Sequence, residues 1–346
     1  MTAIIELMGA PGSPYTRKML AAMRYRHIPY RVEWQNLRGK ENSQHAVNRP
    51  KAKVGLLPTF YLPNAAGEVE AVTDSTPLIR RFEQEFAGRH IIPADPALAF
   101  VNSLVEDYAD EWLTKAMFHY RWHYQADIAK AASILPRWGN ISASNDAVQP
   151  FSDMVAKRQI DRLSYVGSNE VTKPVIEKSF QRFLQIFDAH LQNTPYLLGR
   201  RPASADFAIY GQLTCLALFD PTPQAMIVQQ FPRIYAWTEI MEDLSGLPVS
   251  EDDWLAVADL PDSLLALMDE IGRLYLPYLH ANARAVANGD ERLETMLDGQ
   301  KWTQNPFTYQ AKCLAWLSQE ATSLDDQALA QLDKWLGNSG VLDQLK

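Results

Sequence analysis

Apolar and polar residues follow two different periods in the first part of the chain. Residues 4–8 form a short apolar run that ends at GAPGSP, which predicts a strand closed by a turn. Residues 14–26 begin with a proline and place their apolar side chains on one face, which predicts a helix. Residues 30–34 alternate as in a strand.

The segments that follow complete a small domain. Residues 57–62 and 69–73 are strand-like runs on either side of the turn sequence NAAG, which predicts a hairpin. Residues 76–86 are helix-like and are preceded by an Asp-Ser pair that can cap the helix. The order β-α-β, a loop, then β-β-α predicts an α/β thioredoxin-like domain over residues 1–88.

Beyond the proline-rich segment 93–98 the apolar residues recur at helical spacing, and no strand pair is evident. We therefore predict an all-helical domain over residues 96–248 and a helical C-terminal extension over residues 249–346. The polar, turn-rich segment 137–150 is predicted to be a loop between helices.

Composition narrows the class of protein. A chain of 346 residues accommodates two or three domains, and its net charge of -8 favours neither a nucleic-acid partner nor an anionic membrane. No apolar run is long enough to span a bilayer, and the first run is too short for a signal peptide, so a cytoplasmic protein is expected. The two cysteines form no CxxC motif, which argues against thiol redox chemistry and a zinc site.

Three short segments carry groups that suit a thiol-containing ligand. In GSPYT, Ser13 stands at the start of a predicted helix, where the free N–H groups and the partial positive charge favour a thiolate. Leu57-Pro58 opens a strand, and a cis bond there would expose the backbone of Leu57 to an extended peptide. Asp74-Ser75 can hold an ammonium and a carboxylate at a helix N-terminus. For each segment, a simple helix cap or an ordinary edge proline is the alternative interpretation.

Together these segments resemble the N-terminal domain of the glutathione transferases over residues 3–86. SPYT stands where glutaredoxins have CPYC, with serine in place of the nucleophilic cysteine, as in the serine-type transferases. LLPTF resembles the cis-proline segment of the family, and DSTPLI resembles its Glu/Asp-Ser motif.

The resemblance implies a role for each of these residues. Ser13 would stabilise the glutathione thiolate, and the backbone of Leu57, next to Pro58, would pair with the cysteinyl unit. Asp74 and Ser75 would hold the γ-glutamyl group. Lys53 would reach the glycyl carboxylate, although the spacing KVGLLP is longer than the usual KVP.

A second resemblance lies in the predicted helical domain. Residues 195–213 resemble the segment around the buried helix N-cap of the family, in which Ser or Thr precedes Asp by three positions. Asp206 is present here, but Ala203 holds the place of the hydroxyl residue. The resemblance covers residues 3–245, and residues 251–346 exceed the usual family length.

The aromatic-rich segment 110–125 is the candidate wall of a pocket for a small hydrophobic electrophile. We expect Trp112, His119 and Trp122 to contribute to it, with packing in the helical core as the alternative. No metal is expected, because His119 and His123 lack further ligands at a suitable spacing.

The predicted function is that of a glutathione transferase: the protein binds glutathione and activates its thiol for attack on the electrophile. The alternative is a non-catalytic module that uses the same fold to bind a ligand or a partner protein. A glutaredoxin-like reductase is disfavoured, because position 13 is a serine. The resemblance also implies a homodimer and a role in detoxification.

Overall fold

The computed structural model describes residues 4–34, 49–337 and 339–346. Its N-terminal part contains β1 (Ile5–Gly9), α1 (Pro14–Tyr25), β2 (Tyr30–Trp34), β3 (Thr59–Pro63), β4 (Val69–Val72) and α2 (Ser75–Glu85). The strands form one sheet in the order β2-β1-β3-β4, with β1 parallel to β2 and the other pairs antiparallel. This topology confirms the predicted thioredoxin-like fold.

The two helices of this part cover the apolar side chains of the sheet. Leu7 of β1 and Phe60 of β3 are fully buried. The Phe60 ring meets the edge of Phe82 of α2, with 5.6 Å between the ring centroids. Because strand side chains alternate between faces, the buried set of each strand selects the face on which the helices pack.

The helical part begins with α3 (Pro96–Tyr108), which a π-type turn (Ala109–Leu113) joins to α4 (Thr114–His123). The further helices are α5 (Gln125–Ile134), α6 (Asn145–Ile160), α7 (Lys173–Leu191), α8 (Ser204–Leu216), α9 (Pro221–Gln230) and α10 (Pro232–Ile240). The loop predicted over residues 137–150 is shorter than expected. The 3₁₀ turn Leu135–Gly139 extends into its start, and α6, capped by Ser144, begins before its end.

Helix α8 lies at the centre of the molecule, and every residue of it is buried. It packs closely on α1 at Gly211, which has no side chain. A Cβ atom at this position would lie 2.6 Å from the carbonyl oxygen of Pro14. Asp206 supplies half of the predicted cap: its carboxylate accepts the N–H groups of Ala203 at 2.8 Å and of Leu197 at 3.0 Å. The missing hydroxyl at Ala203 thus leaves the carboxylate half of the pair intact.

The C-terminal extension contains more than helices. It comprises α11 (Asp262–Glu270), a π-type turn (Ile271–Tyr275), α12 (Leu276–Asn288), β5 (Leu293–Leu297), β6 (Gln300–Gln304), α13 (Thr308–Thr322), α14 (Asp326–Leu336) and α15 (Val341–Leu345). The expectation that no strand pair follows residue 98 is wrong, since β5 and β6 form an antiparallel hairpin. Its turn is Asp298-Gly299, with both residues at positive φ (54° and 71°), as a tight two-residue hairpin requires.

Among the described residues, no helix combines the length and the apolar composition that crossing a membrane requires.

Candidate functional site

The three segments singled out in the sequence lie at the same end of the four-stranded sheet. Ser13 follows β1 as the N-cap of α1, Leu57 precedes β3, and Asp74 follows β4 as the N-cap of α2. The Ser13 hydroxyl donates to the carbonyl oxygen of Leu57 at 3.3 Å, although 44 residues separate the two in the chain. The Leu57-Pro58 peptide bond is cis.

Ser13 caps α1 and remains partly exposed. Its Oγ accepts the backbone N–H of Thr16 at 3.2 Å while its hydroxyl proton goes to Leu57. The oxygen therefore lies at the positive end of α1, where the first N–H groups of the helix lack intrahelical acceptors.

The loop before Ser13 is held by the helical part of the protein. Arg121 of α4 donates to the carbonyl oxygen of Gly12 at 3.0 Å, and Asp220 holds the same guanidinium at 2.9 Å. Trp138 lies over Gly12 so closely that a Cβ atom there would be 2.4 Å from its ring. The position of Ser13 thus depends on contacts from α4 and from the turn that carries Trp138.

Tyr15 is a second hydroxyl residue near the start of α1, but its hydroxyl is directed away from Leu57. It donates to the carbonyl oxygen of Asp110 at 2.7 Å. Burial, followed by the nearby carboxylates of Glu111 and Asp110, raises the pKa of Tyr15 well above its usual value. The phenol therefore stays neutral at the junction with the helical part, and Ser13 carries the hydroxyl that faces Leu57.

Asp74 has an unusual backbone conformation for a residue with a side chain, with φ at 86°. Its Oδ1 accepts the backbone N–H of Thr76 at 3.3 Å. Its Oδ2 accepts the phenol of Tyr309 at 2.6 Å, from helix α13 of the extension. Positive φ at a non-glycine residue costs free energy and occurs preferentially at binding sites, so the surroundings must hold Asp74 in place.

Ser75 lies next to Asp74 but faces the interior. It is buried, and its Oγ accepts from the Lys18 ammonium at 3.2 Å. Lys18 also pairs with Glu106 at 2.7 Å and with Asp110 at 2.6 Å. In the described residues Asp74 is therefore the partly exposed member of the Asp-Ser pair, and Ser75 joins it to a buried charge cluster.

Comparison with family models decides the classification. Residues 7–90 match the glutathione S-transferase N-terminal domain, and residues 158–244 match the glutathione S-transferase C-terminal domain. The chain belongs to the glutathione S-transferase family. The extension that carries Tyr309 lies beyond both matched regions. No curated protein matches the sequence significantly.

The chain is also similar to solved structures of transferases, at low sequence identity. A glutathione S-transferase from Methylobacterium radiotolerans, in complex with glutathione sulfonate, is 16% identical, with a TM-score of 0.41 over 69% of this chain and 91% of the other. A glutathione transferase family member from Pseudomonas fluorescens with two glutathione bound is 12% identical, with a TM-score of 0.43 over 68% and 87%. The Tau class enzyme of mango, Mangifera indica, is 14% identical, with a TM-score of 0.41 over 73% and 96%.

The remaining glutathione-site candidate, Lys53, is exposed on the segment that leads to Leu57. Its contact with a glycyl carboxylate stays a prediction. Among residues 4–34, 49–337 and 339–346, no three His, Cys, Asp or Glu side chains are grouped to hold a metal.

The three residues expected to line an electrophile pocket lie in the interior. Trp112 donates to Ser179 at 3.1 Å and packs on Trp302 of the extension, with 5.3 Å between the ring centroids. His119 bonds with Ser168 at 2.8 Å, and burial lowers its pKa to about 4. Trp122 is almost fully buried. Their place in a second-substrate pocket stays a prediction, and the structure gives each of them packing contacts in the core.

Proposed function

We propose that this member of the glutathione S-transferase family binds glutathione at the end of the sheet marked by Ser13, Leu57 and Asp74, and activates its thiol for attack on a hydrophobic electrophile. The observation that carries the proposal is the contact between the Ser13 hydroxyl and the Leu57 carbonyl, 3.3 Å apart at the N-terminus of α1. This contact places a hydroxyl at the N-terminus of α1 beside the backbone of the residue that precedes the cis proline.

Thiol activation needs a modest amount of free energy. A free thiol has a pKa of about 8.5, and lowering it by about two units requires roughly 2.7 kcal/mol of preferential stabilisation of the thiolate. A hydrogen bond from Ser13 together with the positive end of α1 is of the right size to supply it. Ser13 acts as a donor to the sulfur, so the protein needs no covalent nucleophile of its own.

Binding would exchange one hydrogen bond for two. Without a ligand, the Ser13 hydroxyl and the Leu57 carbonyl satisfy each other. When glutathione enters, the Leu57 carbonyl would accept the cysteinyl N–H, and the Ser13 proton would turn to the sulfur. Each protein group then keeps a partner, so neither desolvated group opposes binding.

The γ-glutamyl end of glutathione carries an ammonium and a carboxylate. The Asp74 carboxylate would bind the ammonium, and the first N–H groups of α2 would face the carboxylate. Lys53 would approach the glycyl carboxylate from the other end of the tripeptide. With both reactants held in one cleft, attack on the electrophile becomes effectively intramolecular. A homodimer remains part of this proposal.

The proposal is tested by calorimetric titration of reduced glutathione into the wild type, Ser13→Ala and Asp74→Ala. The ultraviolet absorption of the bound thiolate is followed against pH, and conjugation is assayed with an activated aryl halide. Matched controls remove helix caps elsewhere: Ser144→Ala at the start of α6 and Asp325→Ala at the start of α14.

We expect Ser13→Ala to retain binding, to lose the lowered thiol pKa and to slow conjugation by about a hundred-fold. Asp74→Ala should weaken glutathione binding by about ten-fold or more, and the two control variants should bind like the wild type. If the wild type shows no saturable binding at millimolar glutathione, the transferase proposal fails and the non-catalytic module becomes the better description.

A further inference from the structure

Tyr309 brings the C-terminal extension to the proposed glutathione site. Its phenol donates to Oδ2 of Asp74 at 2.6 Å, across 235 residues of chain. It lies in α13, beyond residue 244, where the match to the transferase C-terminal domain ends. The site therefore includes a contact that neither matched domain contains.

The start of α13 is held firmly where it meets α2. The next residue, Gln310, donates to the Glu111 carboxylate at 2.8 Å, and Phe307 exchanges two hydrogen bonds with the Asn282 amide, at 2.8 and 2.9 Å. Farther along α13, Glu320 pairs with Arg80 of α2 at 3.0 Å. Contacts on both sides of Tyr309 thus fix its backbone against the protein.

The ring of Tyr309 is also confined. Trp316, about two helical turns farther along the same face of α13, lies with its ring centroid 6.0 Å away, and that of Phe307 lies 6.3 Å away. Both neighbouring residues are exposed, whereas the Tyr309 phenol is directed to Asp74. An aromatic ring held in this way loses little further freedom when a ligand binds.

The Asp74 carboxylate keeps acceptor capacity after these contacts. An ionised carboxylate has about four lone-pair positions on its two oxygens. The Thr76 N–H uses one on Oδ1, and the Tyr309 phenol uses one on Oδ2. One position on each oxygen remains, which suits an ammonium group that bridges both oxygens.

We propose that Tyr309 is a positioning residue of the glutathione site, which orients the Asp74 carboxylate to receive the γ-glutamyl ammonium. This inference rests on the proposed function. The extension then contributes to ligand recognition directly, and the amino group of the γ-glutamyl unit is the part of the ligand on which its contribution depends.

The test compares Tyr309→Phe with the wild type by calorimetry, using two ligands. The first is reduced glutathione, and the second is glutaryl-cysteinylglycine, which is glutathione without its α-amino group. The control is Tyr275→Phe, which removes another extension phenol that donates to a carboxylate, that of Asp107, away from Asp74. Thermal melting of each variant reports any general loss of packing.

We expect Tyr309→Phe to weaken glutathione binding about five-fold. The effect is smaller than that of losing a whole charged hydrogen bond, because the phenol contacts Asp74 both with and without the ligand. Binding of the glutaryl ligand should be unchanged, and Tyr275→Phe should bind both ligands like the wild type. Equal weakening for the two ligands, equal weakening by Tyr275→Phe, or unchanged or tighter glutathione binding by Tyr309→Phe would overturn the inference.

The proposed function fails in a different way. If the wild type binds no glutathione, both proposals are overturned together. If the wild type binds glutathione and Asp74→Ala abolishes binding while Tyr309→Phe has no effect, only the role of Tyr309 is rejected.

Discussion

Lys18 and Lys115 are both almost inaccessible to solvent, but their surroundings differ in charge. Lys18, in α1, donates to the carboxylates of Glu106 and Asp110 and to Ser75, at 2.6 to 3.2 Å. We call these four residues the Lys18 cluster, and they join the thioredoxin-like part to α3. Burial opposes the charge of Lys18, but the carboxylates of Asp110 and Glu106 outweigh it and raise the pKa of the lysine.

Lys115 meets neutral groups instead. It donates to the Tyr278 phenol at 3.1 Å, to the Val166 carbonyl oxygen at 3.3 Å and to the Gln304 amide oxygen at 3.4 Å. Its amine nitrogen lies 4.3 Å from the Tyr278 ring centroid. We call Lys115, Glu111, Tyr278, Gln304 and Gln310 the Lys115 cluster, and they join α4 to the extension. Burial lowers the pKa of Lys115 to about 7.

The continuous helical stretch from α3 to α4 contributes to both junctions, but different interactions stabilise them. The Lys18 cluster is an ion network, in which the loss of one partner leaves a buried charge uncompensated. In the Lys115 cluster, burial and then the charge of Asp107 raise the pKa of Glu111 to about 8, so the acid is largely protonated at neutral pH. This second junction is a hydrogen-bond network between nearly neutral groups.

The same substitution at both lysines gives the largest expected difference. Lys18→Met leaves the Glu106 and Asp110 carboxylates buried without their cation, so the free energy of unfolding should fall by about 3–5 kcal/mol. The pKa of Lys115, about 7, leaves its amine only partly charged at neutral pH, so Lys115→Met should cost about 1–2 kcal/mol. Denaturant unfolding of both variants measures the two values. Equal losses would contradict the assignment of different charge states to the two lysines.

Stability against pH gives the next largest effect, through Glu111. Its folded pKa of about 8 lies above the unfolded value, so the folded state binds more protons and loses stability as pH rises from about 4 to 8. Through Glu111 alone, this shift corresponds to a fall of about 3–4 kcal/mol between pH 5 and 8, which Glu111→Gln removes. Lys115, whose folded pKa is depressed, adds stability only as pH rises above about 7.

The control for this prediction lies in the Lys18 cluster. Burial opposes the charge of Glu106, but the nearby charges of Lys18 and Arg80 outweigh burial and lower the pKa of Glu106. The stability that Glu106 contributes is therefore lost only in acid, as pH falls below the unfolded pKa. Glu106→Gln should therefore lower stability but leave in place the loss that Glu111 causes between pH 5 and 8. A Glu111→Gln variant with the wild-type slope would show that Glu111 is ionised in the folded protein at neutral pH.

The parts of this protein that sequence predicts well are local. The order of strands and helices up to residue 88 follows from short-range periodicity, and Asp74 was identifiable because a cap must directly precede its helix. The hairpin at Asp298-Gly299 also had a local signal, an Asp-Gly turn between alternating runs, which the helical pattern of the surrounding extension obscured.

The parts that sequence does not predict are contacts between distant segments. Nothing near Asp74 in the chain indicates that Tyr309 binds it. Likewise, an aromatic residue such as Trp112 suits a ligand pocket as well as a core, and the rings that pack on it from Tyr278 and Trp302 lie more than 160 residues away in sequence. Only the packing of the extension distinguishes the two environments.

The smallest effect comes from Tyr275→Phe, which removes the phenol that donates to Asp107 at the junction with the extension. We expect a loss of about 1 kcal/mol in the free energy of unfolding at pH 6. Burial raises the pKa of Asp107 to about 7, despite the opposing bond from Tyr275, so the carboxylate ionises as pH rises toward 8. A hydrogen bond to an ionised acceptor is stronger, so the cost of the substitution should be larger at pH 8 than at pH 6. Denaturant unfolding at the two pH values measures it. A cost that stays constant or shrinks would mean that Asp107 does not change its charge in this range. If Asp107 stays ionised throughout, the junction with the extension carries more charge than its comparison with the Lys18 cluster implies.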